Sequence, residues 1–562
     1  SSAVLARTAI CFALVLAFGS CKRHSTAAAP DAGASVSPPS GAANLQGSGV
    51  GASGGTTSKS IDGGGTVTLA HKAWPACMHG TSTVAVLDED AGVSPYDDTC
   101  LIDEQHGVFT DPVHGDDTTG DGSRDLPFGT LQAAIGTAVN AGKRVYACVG
   151  KYQGPVAIGT AISNGLGVYG GLSCDTFQPD TTGARTSVEV LSGGPALLIA
   201  DTSDVEVARI DFAATPSDHA PGTSYLAASI GNSHRISLID VALRAAPGEP
   251  GADGAAPAAA PKAGAQGGDG ADACAASGNL GALVVVNDAC TMQSTVGGAG
   301  GDGGLGTGNG GSGTFGAGGG GVGEMSTGWA CDTSTGGVGQ PGFMGYPGSY
   351  GVGAKGFGAL VGGRFTGFSG QPGQQGGTGY GGAGGGGAKA PHSGRGLAIA
   401  AGASGGGGGA GGCGGKGGKG GAAGGSSFGL VLVDSNVRML GGSIAYGDGG
   451  KGGDGAEGQP GGKGGAGGKG GKGTGGSHDA CDGTAGGDGA AGGPGGGGNG
   501  GHAIGVLYLY LGKAPVLSGV TGATDAATRK GGSPGIGAAS MDPNAAMPMM
   551  GTPGVAEFTH AM

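Results

Sequence analysis

Aromatic and charged residues are scarce in this sequence. Aromatic residues make up 5% of the 562 residues and charged residues 12%. So few large apolar side chains exclude a conventional close-packed core in proportion to the chain length. The low charge is also unlike that of an ordinary charged disordered tail. The net charge of −13 gives no support for nucleic acid as a partner.

Glycine is the residue that the sequence has in excess. It accounts for 144 of the 562 residues, about a quarter, against a usual level of roughly 7%. We therefore expect a repetitive architecture, in which backbone hydrogen bonds and local stacking replace a large side-chain core.

The glycines follow a three-residue period. Residues 447–473, GDGGKGGDGAEGQPGGKGGAGGKGGKG, hold glycine at every third position from Gly449 to Gly473. This period fits neither an α-helix, with about 3.6 residues per turn, nor a strand, with a period of about two. It is typical of an extended helix of the polyproline II type, here polyglycine II, whose third position faces outward. A collagen triple helix and a flexible glycine loop are the alternatives.

The N-terminus has the features of an export signal. Arg7 precedes the apolar run 8–18, TAICFALVLAF, which is too short to span a bilayer. Small residues then lead to Cys21, and this ending resembles the lipobox of bacterial lipoproteins. The resemblance implies a signal peptide at 1–20, lipidation of Cys21 and, because Lys22 follows, a lipid anchor in the outer membrane at the cell surface. A plain secretory signal is the alternative.

The cysteines suit an exported protein. Of the 11 cysteines, Cys11 lies in the signal and Cys21 would carry the lipid. Disulfides are the default state of the others in an oxidising compartment. By proximity we predict that Cys77 pairs with Cys100 and Cys148 with Cys174. The odd number that remains leaves at least one thiol free or intermolecular.

A helix is predicted ahead of a series of short strands. Thr130 can cap it, and apolar residues follow at helical spacing from Leu131 to Val139. Gly142 suits its C-terminal end. The runs RVYACVG, PVAIG and LGVYGGL that come next are typical of strands.

This stretch resembles the start of right-handed parallel β-helices of the pectate-lyase-like superfamily. The resemblance rests on a P-F-x-T-L-Q-x-A-I helix at 127–135 and on the Gly150 and Tyr152 turn that follows it. It implies an all-β fold, a right-handed parallel β-helix solenoid with an N-terminal capping helix and Gly-rich insertions. The Gly-rich tracts of the C-terminal half separately resemble surface proteins of the PE-PGRS type.

The recurring apolar runs divide the chain. Each run has the pattern of one solenoid turn, and insertions in a solenoid leave from its corners. The predicted segments are the signal peptide at 1–20, a disordered tether at 21–60, an irregular segment at 61–115, the β-helix with its cap at 116–296, a Gly-rich insertion at 297–425, a β-helix turn at 426–446, a GGX tract at 447–501, a further turn at 502–522 and a C-terminal tail at 523–562.

Acidic residues on the predicted strands are the candidates for catalysis. Enzymes of the resembled superfamily gather such residues near an arginine or lysine. The predicted strands offer Asp201, Asp204, Glu206, Arg209, Asp211, Arg235, Asp240 and Arg244. Strand alternation puts Asp204 and Glu206 on one face, with Arg235 in the next turn. Paired carboxylates near an arginine could act on glycosidic bonds. The alternative interpretation is that they form the solvated face and corners of a solenoid.

Calcium is the one cofactor that the sequence leaves open. The stretch GGDGADACA at 267–275 matches a repeat-in-toxin nonapeptide, with Asp272 at the ligand position. The stretch DDTTGDGSRD at 116–125 could chelate a hard cation. It offers the carboxylates of Asp116, Asp117, Asp121 and Asp125. The alternative is that this stretch is a polar loop before the helix.

The leading hypothesis is therefore a non-catalytic cell-surface lipoprotein, a Gly-rich β-helix scaffold for structure or adhesion. Its partners would be the membrane, through the lipid anchor, and an extracellular polysaccharide or a surface protein. The alternatives are a secreted polysaccharide lyase or glycoside hydrolase of the β-helix superfamily and a calcium-dependent adhesin.

Overall fold

The computed structural model describes a chain that is mostly β. It describes residues 58–61, 65–68, 94–191, 194–215, 219–273, 278–290, 293–306, 308–314, 316, 319–390, 401–509, 514–522, 528–539 and 549–562. The chain divides into two compact units, Ser1–His71 and Lys72–Met562. The described residues of the first unit, 58–61 and 65–68, form an antiparallel pair of strands, and the three sheets and the glycine tracts belong to the second unit.

The described residues form one α-helix and a series of short strands. The helix is α1 (Leu131–Ala141). The strands are β1 (Ser58–Ile61), β2 (Gly65–Thr68), β3 (Gly107–Thr110), β4 (Arg144–Cys148), β5 (Gly150–Gln153), β6 (Val156–Gly159), β7 (Gly167–Leu172), β8 (Thr186–Val190), β9 (Leu197–Ala200), β10 (Glu206–Ala208), β11 (Ile210–Ala214), β12 (Tyr225–Gly231), β13 (Ile236–Ile239), β14 (Ala242–Ala245), β15 (Ala359–Val361), β16 (Arg364–Thr366), β17 (Ser427–Val433), β18 (Val437–Leu440), β19 (Ser443–Ala445), β20 (Ala503–Leu509), β21 (Val516–Ser518) and β22 (Ala556–Ala561).

Three parallel sheets hold most of these strands. The seven-stranded sheet has the order β21-β18-β13-β10-β7-β4-β3, the five-stranded sheet β19-β14-β11-β8-β5 and the six-stranded sheet β22-β20-β17-β12-β9-β6. From β4 to β21, apart from the separate antiparallel pair β15–β16, the chain visits these three sheets in turn, and β22 then returns to the six-stranded sheet. This order is consistent with a β-helix-like fold, and it confirms the prediction of a β protein with very few helices.

Strand alternation builds the core. In the five-stranded sheet, the register aligns one buried row across neighbouring strands: Tyr152, Val188, Phe212, Leu243 and Ile444. Their neighbours in each strand point to the opposite face. The core therefore grows by stacking like positions of successive strands, which needs few aromatic residues.

The predicted helix cap is confirmed. Thr130 Oγ1 accepts a hydrogen bond from Ala133 N at 3.2 Å, and Gly142 ends α1 in the left-handed region at φ 63°. The buried face of α1 packs into the same apolar cluster as the sheets. This face consists of Leu131, Ala134, Ile135 and Ala138.

Any two neighbouring glycine tracts are joined by backbone hydrogen bonds at every third residue. Three consecutive glycines of the tract 402–425 donate to three different tracts: Gly405 to Gly301 (2.8 Å), Gly406 to Cys481 (3.0 Å) and Gly407 to Gly268 (2.9 Å). Residues 408–410 donate to the same three tracts in turn. Tracts 379–388 and 462–471 donate back to it. The tract is therefore enclosed by others, and its N–H groups are satisfied without helix or strand.

Close approach explains why these positions are glycine. A Cβ on Gly405 would lie 2.0 Å from Gly385 O, and one on Gly465 would lie 1.9 Å from Ala265 O. Neither oxygen can withdraw freely, because both belong to neighbouring backbones in the same network.

The structure differs from several predicted boundaries. Within the predicted β-helix segment 116–296, residues 248–273 join the glycine tracts instead, since their own three-residue glycine period lets them hydrogen-bond to 448–472. The apolar run at 278–286 contains none of the strands β1–β22, and its Leu280 and Leu283 are exposed. The predicted tail contains β22, which pairs with β20, and the segment 61–115 contains β3, which pairs with β4.

Candidate functional site

A polar groove lies on the outer face of the five-stranded sheet. It has a volume of about 270 Å³. The register aligns Lys151, Ser187, Asp211 and Ala242 in one row across β5, β8, β11 and β14. A second row aligns Glu189 with Ala213 and Arg244. Ala213 and Ala242 contribute small side chains to these rows, and Val188 and Phe212 also line the groove.

Most charges of the groove are paired across strands. Lys151 forms an ion pair with Glu189. Arg185 precedes β8, and its Nε lies 2.7 Å from Asp211 Oδ1, while its Nη1 lies 3.1 Å from Asp240 Oδ2. Lys151 and Arg185 therefore link neighbouring parts of the five-stranded sheet, and the groove is close to neutral.

The ion pairs shift the ionisation of the groove. The hydrogen bond from Lys151 lowers the pKa of Glu189 below its ordinary value, against the opposing effect of burial. Burial works against the charge of Arg185, but the hydrogen bonds and charges of Asp211 and Asp240 outweigh it and raise the pKa of its guanidinium. Both groups are thus held in their charged forms.

Arg244 differs from these residues. Its side chain is exposed at the end of the second row, and it makes no ion pair with any described residue. It is therefore the groove cation whose charge is available to a ligand.

Sequence reasoning singled out only part of this groove. It named Asp211, Asp240 and Arg244 among strand residues but not Lys151 or Glu189. The signal was present in TSVEV at 186–190, where Val188 and Val190 are buried and Ser187 and Glu189 alternate with them. What the sequence could not supply was the register that brings β5, β8, β11 and β14 side by side.

The predicted catalytic residues lie elsewhere. Arg235 binds the carboxylate of Asp204 with two nitrogens, Nε to Oδ1 at 2.5 Å and Nη2 to Oδ2 at 2.6 Å. Glu206 is in β10 of the seven-stranded sheet, where it is buried and raises the pKa of the neighbouring Tyr169, in addition to the main effect of burial. None of the three lines the groove, and Asp204 has its charge neutralised by Arg235.

The predicted calcium carboxylates of the loop 116–125 serve as turn and helix-capping groups. Asp116 Oδ1 accepts from the N–H groups of Thr118 (2.6 Å) and Thr119 (3.1 Å), and these bonds lower the pKa of Asp116. Asp117 accepts from Gly129 N, Thr130 N and Thr130 Oγ1.

The remaining two loop carboxylates do not complete a cation site. Asp121 Oδ1 accepts from Ser123 N at 2.9 Å, and Asp125 lies four residues further on. Among the described residues, the one close group of potential ligands is Asp111, Cys148 and Cys174. Its two sulfurs are bonded to each other, so they are not thiolate ligands.

Asp272, the other calcium candidate, links two glycine tracts. Its Oδ1 accepts a hydrogen bond from Lys472 N at 2.6 Å. Asp269 and Asp253 make the same kind of bond, to Lys469 N and Asp454 N, at 2.7 Å each. These aspartates act as side-chain links between parallel tracts.

The described cysteines form three disulfides. Cys148 is bonded to Cys174, the pair that proximity suggested, while Cys290 is bonded to Cys413 and Cys331 to Cys481. Cys100 is in no disulfide with any described cysteine. Cys77, its predicted partner, and Cys21, the predicted lipidation site, lie outside the described residues. The two long-range disulfides connect Cys290 and Cys331 to cysteines in the glycine tracts. Proximity in sequence could not indicate these two pairings.

Comparison with known proteins gives little. No protein-family profile matches the chain, and no curated protein matches it. A solved structure named "Rhamnogalacturonan lyase" is similar at 18% sequence identity over 24% of this chain, with a TM-score of 0.18. The chain spans only 35% of the length of that structure. So low a TM-score carries no argument about function.

A search of the helices in the described ranges for one that is apolar and long enough to cross a bilayer found none.

Proposed function

We propose that this protein is a non-catalytic cell-surface lipoprotein, in which a right-handed parallel β-helix and a polyglycine II bundle form one rigid scaffold for binding. The cyclic visits of the chain to three parallel sheets support the β-helix. The hydrogen bonds at every third residue support the bundle, because a polyglycine II helix has about three residues per turn.

The ion pairing of the groove carries the non-catalytic part of the proposal. A glycosidase needs one carboxyl group whose pKa is raised, so that it can protonate the leaving group. Glu189 instead has a lowered pKa, and Asp211 is paired with Arg185. The other candidate carboxylate, that of Asp204, is also in an ion pair, because both of its oxygens accept hydrogen bonds from Arg235.

The groove is then a place for binding. Paired charges with small alanine side chains among them fit a polar polymer, and Arg244, which brings the groove's charge to zero, adds a cation that pairs with no described residue. We propose an extracellular polysaccharide or an extended segment of a surface protein as its occupant.

The test of this function uses the purified full chain after signal removal. It is incubated with a broad panel of polysaccharides, and released reducing ends or unsaturated products are measured beside co-sedimentation with the same polymers. We expect binding without products, and weaker binding for Arg244→Ala than for Arg364→Ala, which removes an exposed arginine outside the groove. Release of products would instead favour a polysaccharide lyase or glycoside hydrolase.

The lipid anchor is proposed from the sequence of residues 1–21. A flexible Gly/Ala/Ser/Pro tether of the predicted length, 21–60, would have a reach of roughly 35 Å, enough to lift a folded unit from a membrane. Its last three residues, 58–60, lie in β1 instead, so the tether is shorter than predicted at that end. Metabolic labelling with an alkyne fatty acid in a bacterial host tests it. We expect label on the wild-type chain in the membrane fraction, and loss of both label and membrane association in Cys21→Ala.

A further inference from the structure

A buried histidine joins three parts of the chain. His502 immediately precedes β20 and is 4% exposed. Its ring stacks on Phe357 with centroids 3.8 Å apart and planes 11° apart, and Phe365 packs edge-on at 5.6 Å. Its backbone N–H donates to Ser426 Oγ at 2.8 Å. The ring is therefore fixed between the β15–β16 region, β17 and its own strand.

Both ring nitrogens of His502 are engaged. Nε2 lies 2.7 Å from the carbonyl oxygen of Phe357, which can only accept, so Nε2 carries the proton. Nδ1 lies 3.0 Å from the backbone N of Val555, which can only donate, so Nδ1 carries none. The contacts thus require the neutral imidazole with its proton on Nε2.

We propose that His502 is a pH-sensitive latch, which holds the C-terminal segment 551–561 against β20 while its imidazole is neutral and releases that segment when it is protonated. A proton on Nδ1 would point at the N–H of Val555, and two donors cannot bond. The same change would place a cation among Phe357, Phe365 and Phe428 in a buried site.

The groups around the ring favour the neutral form. Burial lowers the pKa of His502, and the charge of His560 on β22 lowers it further, while the hydrogen bond to the Phe357 carbonyl opposes them. His560 stacks on Phe357 at 5.2 Å, and its Nδ1 is 2.9 Å from Glu557 Oε2. Arg364, in β16, is exposed to solvent, and the residue of β17 that contacts the His502 ring is the apolar Phe428.

The sign of the effect follows from the lowered pKa. The unfolded segment leaves His502 with a pKa near 6.5, and the folded site has a lower one. Between these values the released state binds more protons, so falling pH favours release. The anchoring is complete above about pH 6.5 and is lost as the pH falls below it.

Release would change the edge of the six-stranded sheet. Val555 O also accepts from Ala503 N at 2.8 Å, and β22 then pairs with β20 along its length. Without β22, β20 presents an open strand edge, which is a template for pairing with another chain. Acidification would thus expose an interaction surface that is covered at neutral pH.

Hydrogen exchange on the full chain tests the latch. Peptides that cover 549–562 are followed by mass spectrometry at pH 7.5 and 5.5, with rates corrected for intrinsic exchange. We expect protection in the wild type to fall over this range, by at most about tenfold for an unfolded pKa near 6.5. In His502→Asn, whose amide oxygen can accept from Val555 at any pH, the dependence should disappear. In the matched control His560→Asn it should persist.

Three outcomes would overturn the proposal: protection that does not change with pH in the wild type, dependence that survives in His502→Asn, or dependence that vanishes in His560→Asn. Should His502→Asn not fold, the imidazole C2–H exchange of the wild-type His502 gives its pKa directly. A pKa below 6.5 supports the latch, and a pKa at or above 6.5 rejects it.

Discussion

The carboxylate of Asp272 accepts a hydrogen bond at 2.6 Å from the backbone N–H of Lys472, a residue 200 positions later in the chain. Asp269 and Lys469 repeat this bond with the same separation. The two tracts therefore run parallel and in register over at least this stretch. Aspartate at the outward position of a glycine triplet adds a side-chain hydrogen bond to the backbone network, where a lysine or alanine could not accept one.

Backbone contact between tracts makes Gly405→Ala strongly destabilising. The new Cβ would lie 2.0 Å from Gly385 O, so the tracts must separate, at a cost of about 1–3 kcal/mol in the free energy of unfolding. The matched control is Gly136→Ala in α1, where no atom lies within 4 Å. It should stabilise the protein by about 0.5–1 kcal/mol, because alanine favours a helix over glycine. Chemical denaturation measures both, and equal effects would show that residue 405 is not in a packed tract.

The long-range disulfides should contribute much of the stability of the hydrogen-bonded glycine tracts. The Cys290–Cys413 bond closes a separation of 123 residues. A loop of about 100 residues corresponds to about 4–5 kcal/mol on the chain-entropy model. We expect the double change Cys290→Ser and Cys413→Ser to lower the melting temperature clearly. Cys100→Ser, which removes no disulfide among the described residues, should leave the melting temperature unchanged; an equal melting temperature for both variants would mean that the 290–413 bond does not stabilise the protein.

Local features of the fold were predictable because neighbours in sequence determine them. The cap by Thr130, the stop at Gly142 and the buried stripe of α1 each depend on residues within one or two turns. The strands before Ala245 also follow closely in sequence, so their alternation was readable. The three-residue glycine period indicated the hydrogen-bond spacing of the tracts for the same reason.

Pairing between tracts was not predictable. Triplets of glycine look alike in every tract, so nothing local tells 248–273 to lie beside 447–473 rather than beside another tract. The groove depends on the same missing information, since Lys151 and Glu189 meet only through the register of β5 on β8. The exposed row at Leu280 and Leu283 shows the converse error, where apolar composition suggested a buried strand.

Calcium removal should not alter the fold. Asp272 and Asp117 already direct oxygens at backbone N–H groups, which satisfies these carboxylates without a cation. We expect the same melting temperature in excess chelator as in millimolar calcium. A melting temperature that rises with calcium and reverses with chelator would support the calcium-dependent adhesin instead. Asp117→Asn would then decide whether the loop before α1 holds the ion.

A row of buried hydroxyl groups at one corner gives the last prediction. Ser233 N donates to Ser435 Oγ at 3.1 Å, and Thr202 N donates to Ser233 Oγ at 3.3 Å, so the hydroxyls of successive turns satisfy buried N–H groups.

Ser233→Ala leaves the N–H of Thr202 without its acceptor in a site where residue 233 is 0% exposed. We expect a loss of about 1–3 kcal/mol in the free energy of unfolding. Ser187→Ala, at a half-buried position in the groove, removes a hydroxyl whose partner, the Gly150 carbonyl, can turn to water. It should cost much less. Urea unfolding compares the two, and equal losses would mean that the corner hydroxyls do not support the stacking of turns.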